Sequence, residues 1–216
     1  MIEGIPAEAF DFYDALGADN SKAFWAGHKA DYVTYVRAPL QELVDGLADE
    51  FGQAHLFRPY RDVRFSKDKV PYKDHQGAFA AIGDAVGYYV QVSSAGLMIA
   101  GGWYSPQGQQ LARYREAVDG PAGAELERIV RAVQRKGLEV GGDVMKTRPR
   151  GVDPEHPRLA LLRHRSVTAS RTAEPEPWME SGEAVLRVRK EWRAMRPLVE
   201  WLATHVGPGE DDRPAR

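Results

Sequence analysis

Residues 87–104 read GYYVQVSSAGLMIAGGWY, and their reading decides the fold class. Two β-rich runs, Tyr88-Tyr89-Val90-Gln91-Val92 and Leu97-Met98-Ile99-Ala100, flank Ser93-Ser94-Ala95-Gly96. Aromatic and β-branched residues on both sides of a short, glycine-containing turn predict a hairpin. Gly101-Gly102 at its far end predicts a bulge or a close backbone approach.

On the amino-terminal side the pattern is helical. Pro6 opens a helix through Phe10, Tyr13 and Leu16 that Gly17 closes. Asp19-Asn20-Ser21 caps a second, with Phe24, Trp25, Tyr32 and Val36 on one face, and Pro39 restarts or kinks it. A third carries Leu40, Leu43, Val44, Leu47 and Phe51 and ends at Gly52. From His55 to Phe65 the chain reads extended, and Arg61–Phe65 alternates like a half-buried strand. Ser66–Gln76 is polar, contains Pro71 and reads as a loop.

On the carboxy-terminal side helices return over Gln109–Val118 and Ala122–Arg135. Gly137–Gly151 is irregular, Pro157–Arg163 fits a short helix and Arg165–Arg171 a strand. Glu180–Arg196 is a helix, and Pro197 starts a final helical piece with Leu198, Trp201 and Leu202 inward. Strands in the middle and helices around them predict an α+β fold, a central, mostly antiparallel sheet with flanking helices. One domain over residues 1–206 is expected, followed by a disordered tail at 207–216 with no apolar anchor.

The chain has 216 residues, no cysteine and a net charge of −2. Disulfides and thiolate metal sites are impossible, and a reducing cytoplasm is the default location. No apolar run approaches the ~20 residues of a membrane span, and the start has no secretory pattern. The slightly acidic balance argues against nucleic acid as a partner.

The charge is not evenly spread. Residues 61–73 read RDVRFSKDKVPYK, with five basic side chains (Arg61, Arg64, Lys67, Lys69, Lys73) against two acids, Asp62 and Asp68. With Arg64 and Ser66 on one strand face and Tyr72 nearby, this set suits a phosphate or carboxylate, which arginine grips bidentately and lysine attracts as a point charge. The alternative is a solvated surface on which Asp62 and Asp68 pair with their neighbours. Lys146-Thr147-Arg148-Pro149-Arg150 is a second basic loop, and Lys146 and Arg150 would complete a cleft if it folds beside the first.

The segment also resembles the signature of a bacterial and fungal family called domain of unknown function 2461. Further likenesses follow in order: Asn20 and Trp25; Gly101-Gly102-Trp103-Tyr104-Ser105-Pro106; Lys146, Pro149, Arg150, Gly151, His156 and Pro157; and Pro197, Leu198, Trp201 and Leu202. The resemblance covers roughly Phe10 to Leu202 and favours Arg150 over Arg148. One departure is Arg163-His164-Arg165, where the family pattern has a lysine near Arg165. It implies one domain and no reaction.

Catalytic patterns are sparse. Asp153 and His156 stand three apart, as an oriented general base would, but Asp153 before Pro154 is also an ordinary helix cap. Ser66-Lys67-Asp68-Lys69 fits Ser-x-x-Lys without that motif's partner elements. The six histidines show no metal-ligand spacing, and no phosphate-loop, dinucleotide or nucleophile-elbow motif occurs. No metal and no cofactor is expected. Three functions remain: a small-anion-binding domain, whether or not it is an enzyme; a non-catalytic interaction protein with its charges paired internally; and a hydrolase using Asp153 and His156. Nothing in the sequence fixes the oligomeric state.

Overall fold

The hairpin at 87–104 is present. Strand β3 (Val86–Ser93) turns through Ser94-Ala95 into β4 (Gly96–Trp103). The computed structural model describes residues 4–62, 64, 69–106 and 108–207. The remaining strands are β1 (Ala54–Leu56), β2 (His75–Gly83), β5 (Glu139–Gly141) and β6 (Val167–Ala173). They form one six-stranded antiparallel sheet in the order β1-β2-β3-β4-β6-β5. At one end Ala54, His55 and Leu56 face Ala80, Phe79 and Ala78. At the other, Glu139, Val140 and Gly141 face Ser170, Ala169 and Thr168.

The helices are α1 (Ala7–Ala18), α2 (Lys22–Asp31), α3 (Ala38–Asp45), α4 (Ala48–Phe51), α5 (Gln110–Asp119), α6 (Ala122–Arg135), α7 (Leu159–Leu162) and α8 (Glu183–Val206). This is the α+β arrangement of a sheet with flanking helices. The hydroxyl of Ser21 accepts from the Phe24 N–H and caps α2. Between α2 and α3 lies a π-helical stretch, Tyr32–Arg37, in which the Ala38 N–H reaches back to the Val33 carbonyl. Pro39 has no N–H, and its ring would crowd the carbonyl four residues back in an α-helix. The wider turn just before it relieves that crowding, so the chain passes from α2 to α3 without a break.

Several expectations need correction. Arg61, Asp62 and Arg64 are outside any strand, whereas Val63 and Phe65 lie outside the described residues. The Arg64 N–H turns back onto the Asp62 carboxylate (3.3 Å), a local turn that competes with a strand ladder. The loop expected over Ser66–Gln76 gives way to β2 at His75. The third helix is two, α3 and α4, separated at Gly46-Leu47. Pro197 lies inside α8 and starts no new helix. Of the tail expected at 207–216, only Gly207 is among the described residues.

The chain forms two compact units. The first comprises Met1–Ala80, Tyr89–Ile99 and Thr172–Lys190, the second Ala81–Tyr88, Ala100–Arg171 and Glu191–Arg216. The first is centred on aromatic side chains of α1, α2 and the π-helical stretch. Phe12 stands 6.0 Å from Trp25 and 5.8 Å from Tyr32, ring to ring. In the second, Trp103 packs on Tyr114 at 5.4 Å, and both are fully buried. Truncating either ring to alanine costs about 3–5 kcal/mol. Here the Gly101-Gly102 pair shows its purpose. A Cβ at Gly102, whose φ is +147°, would stand 2.3 Å from the Val167 carbonyl oxygen, and one at Gly101 would crowd Val199 at 3.1 Å. At Gly102 the backbone of Val167 comes too close for any side chain, whereas at Gly101 a larger residue would press on the Val199 side chain.

Candidate functional site

The site begins with two tyrosines. Tyr60 and Tyr72 form an isolated antiparallel bridge, flanked by Arg61 N–H to Pro71 O (2.9 Å) and Lys73 N–H to Pro59 O (2.8 Å). Pro59 and Pro71 supply carbonyls but no N–H, so the ladder cannot extend through them. Asn20 then holds Tyr72 by both backbone groups: its amide donates to the Tyr72 carbonyl (3.1 Å) and accepts from the Tyr72 N–H (3.2 Å). The Tyr72 ring stacks on Trp25 at 4.2 Å and 8°, while Tyr60, nearly half exposed, lies 5.4 Å from Tyr72. This places Arg61 and Lys73 on a rigid support.

The support carries an unbalanced charge. Lys73 is half-buried, with its ammonium 5.2 Å from the centre of the Phe57 ring. Burial, and then the guanidinium groups of Arg58 and Arg61, depress its pKa. Arg61 reaches Asp74 at 3.7 Å. That carboxylate is already engaged: it accepts from His75 Nδ1 at 2.8 Å, and chiefly this bond holds its pKa below the usual range. Neither Lys73 nor Arg58 has an ion-pair partner among the described residues. Arg58 was missed by sequence reasoning because it precedes the conspicuous 61–73 run and lies across two prolines from Lys73. Its only sequence signal is a basic side chain next to the Pro59-Tyr60 pair.

The other expected donors are distributed differently. Arg64 is exposed and grips Asp62 with two bonds, Nε to Oδ1 at 2.9 Å and a terminal nitrogen to Oδ2 at 2.7 Å. The pair lowers the Asp62 pKa and raises that of Arg64. Tyr72 presents no free face, being stacked and buried, so it positions its neighbours. Ser66 and Lys67 lie outside the described residues, and Lys69 is exposed. Lys146 and Arg150 belong to the second unit, where both are exposed and the Lys146 carbonyl accepts from Arg163 at 3.0 Å.

Asp153 and His156 meet through the His156 N–H and the Asp153 carbonyl (3.1 Å), not through their side chains. The Asp153 carboxylate accepts from the Glu155 N–H (2.9 Å), as a local turn does. His156 instead meets Asp119 through Nε2 at 3.0 Å, while its Nδ1 accepts from the Arg158 N–H at 3.0 Å. Both ring nitrogens are engaged, so no lone pair is left to take a substrate's proton. Arg158 completes the clasp by donating to the carbonyls of Val118 (2.6 Å), Asp119 (2.7 Å) and Gly120 (3.3 Å) at the end of α5. These are acceptors that a helix end leaves unpaired.

The model of the family described as "Conserved hypothetical protein (DUF2461)" matches residues 8–201. The chain belongs to this family. The comparison with curated proteins returned no match, and neither did that with solved structures.

In this DUF2461 protein the spaced motifs have structural work that the geometry makes plain. Asn20 and Trp25 secure Tyr72 in the first unit. In the second, Trp201 donates its indole N–H to the Ala122 carbonyl (3.2 Å) at the start of α6. Behind the basic segment lies a polar interior in which the Tyr32 hydroxyl donates to Gln76 (2.5 Å) and Gln76 donates to the Phe57 carbonyl (2.7 Å). Burial pushes the Tyr32 pKa up to about 12, and burial likewise raises that of Tyr13. Among the described residues no group of three or more histidine, aspartate or glutamate side chains is placed to hold a metal ion. No described helix is long and apolar enough to cross a membrane.

Proposed function

We propose that the support around Lys73 binds a small anion, a phosphate or a carboxylate, through Lys73, Arg58 and Arg61. One observation carries this reading: a half-buried ammonium, fixed by main-chain bonds beside two guanidiniums, has no carboxylate within ion-pair reach among the described residues. An anion between these groups relieves the repulsion that depresses the lysine and accepts charge-assisted bonds. Arg64 is taken by Asp62. The internal pairing expected of a purely structural protein is seen at Arg64 with Asp62 and, at longer range, at Arg61 with Asp74.

Thermal unfolding in a phosphate and carboxylate series tests the proposal. At a phosphate concentration 100-fold above its Kd, binding adds about 2.7 kcal/mol. For a chain of this size that is a rise in Tm of roughly 5–10 °C. Lys73→Met and Arg58→Ala should each remove most of the rise, and Arg187→Ala, at a remote i,i+4 pair with Glu183, should keep it. Equal shifts in all three variants would show that the anion acts elsewhere.

A further inference from the structure

We propose that Lys73 is also a reactive amine, one that captures small anionic carbonyl compounds as an imine while Arg58 and Arg61 hold the anionic group. This rests on the anion-binding reading and names the ligand's chemistry: an aldehyde or ketone carrying a carboxylate or phosphate.

Three observations lead there. Lys73 is half-buried, whereas Lys22, Lys29, Lys69, Lys136, Lys146 and Lys190 are all exposed. Its Nζ lies over the Phe57 ring and, among the described residues, is in no ion pair with a carboxylate. The charged groups that act on it, Arg58 and Arg61, are both cationic, and the Asp74 carboxylate that Arg61 reaches is already bonded to His75. Burial and adjacent positive charge raise the neutral fraction of a lysine and so its nucleophilicity. The same arginines would align an anionic electrophile.

The step is balanced without a redox partner. The neutral amine adds to the carbonyl carbon, and its proton moves to the carbonyl oxygen to give a carbinolamine. Loss of one water then leaves the C=N bond to Nζ. Nothing is oxidised or reduced until a trapping reagent is added.

The test uses the full chain with glyoxylate as the anionic aldehyde, acetaldehyde as the neutral one, and sodium cyanoborohydride to reduce the imine. Peptide mass spectrometry follows the rate at each lysine. Lys73 should be modified by glyoxylate ahead of every exposed lysine, and the lead should shrink with acetaldehyde. Arg58→Ala should slow Lys73 alone. Lys73→Arg should lose the adduct at position 73 yet keep the phosphate-induced rise in Tm. If Lys73 reacts no faster than the exposed lysines while phosphate still stabilises the protein, the imine proposal falls and the anion site stands. If phosphate stabilises neither the wild type nor Lys73→Arg, the anion site falls and the imine proposal with it.

Discussion

The basic groups around Lys73 and those around Arg158 look alike in sequence and differ in their partners. Arg158 is clasped at a helix end, with three main-chain carbonyls on its guanidinium and its own N–H on His156. Lys73 and Arg58 have no ion-pair partner among the described residues, and the Asp74 carboxylate that Arg61 reaches is shared with His75. A cation spent on the carbonyls of a helix end is a fastener. A cation held rigidly without a counter-charge raises the energy of the free protein, and an anion lowers it again. The difference between a structural motif and a binding motif therefore lies in which acceptors surround it, and composition does not report that.

The largest expected effect is at the fastener. Arg158→Ala strips the carbonyls at the end of α5 and should destabilise the protein by roughly 2–3 kcal/mol, seen as a lower urea midpoint with phosphate stabilisation unchanged. Next comes the support of the proposed anion site. Asn20→Ala removes both bonds to the Tyr72 backbone and should cost about 1–2 kcal/mol. Unlike Arg158→Ala, it should also weaken phosphate binding, because Lys73 loses its fixed position. Equal phosphate binding in the two variants would break the comparison.

His164 supplies a pH-dependent effect in the second unit. Burial depresses its pKa below the ordinary 6.5, and its Nδ1–H faces the Ser166 carbonyl at 3.1 Å. The unfolded chain takes up this proton more readily than the folded one, so stability should fall as pH drops below 6.5 toward the depressed folded value. Above that range this residue should make stability independent of pH. His164→Asn keeps a donor for Ser166 and should flatten the acid limb of an unfolding-midpoint against pH curve.

The smallest effects have opposite meanings. Lys73→Met removes an uncompensated charge and should slightly raise Tm in phosphate-free buffer while abolishing the phosphate response. Arg64→Ala breaks an exposed pair with Asp62 and should leave both unchanged.

How much of this was legible varied with the physics involved. The 87–104 hairpin was plain because its aromatic and β-branched residues match a pleated, buried surface. Strand β2 was not, because Gly77, Ala78, Ala80 and Ala81 have weak strand preference. The sheet needs small residues there: a Cβ on Gly77 would stand 2.3 Å from the Tyr89 hydroxyl. The alternation at Arg61–Phe65 misled because a two-residue turn onto Asp62 outcompetes a ladder with no partner strand. Pro197 misled because it sits inside a 24-residue helix, long enough to keep its course across one missing bond. For the proposed site, the charge excess singled out residues 61–73. Only the fold shows that Arg64 is spent on Asp62, that Arg58 joins Lys73, and that His156 belongs to Asp119 and not to Asp153.

On the proposed reading Lys73 is a cation whose counter-ion comes from solution. The most direct measurement is the titration of its ammonium, followed through the 13Cε resonance of labelled lysine and assigned with Lys73→Arg. The midpoint should lie below that of the exposed lysines in phosphate-free buffer and rise when phosphate is added. A midpoint equal to theirs, and unmoved by phosphate, would contradict the account.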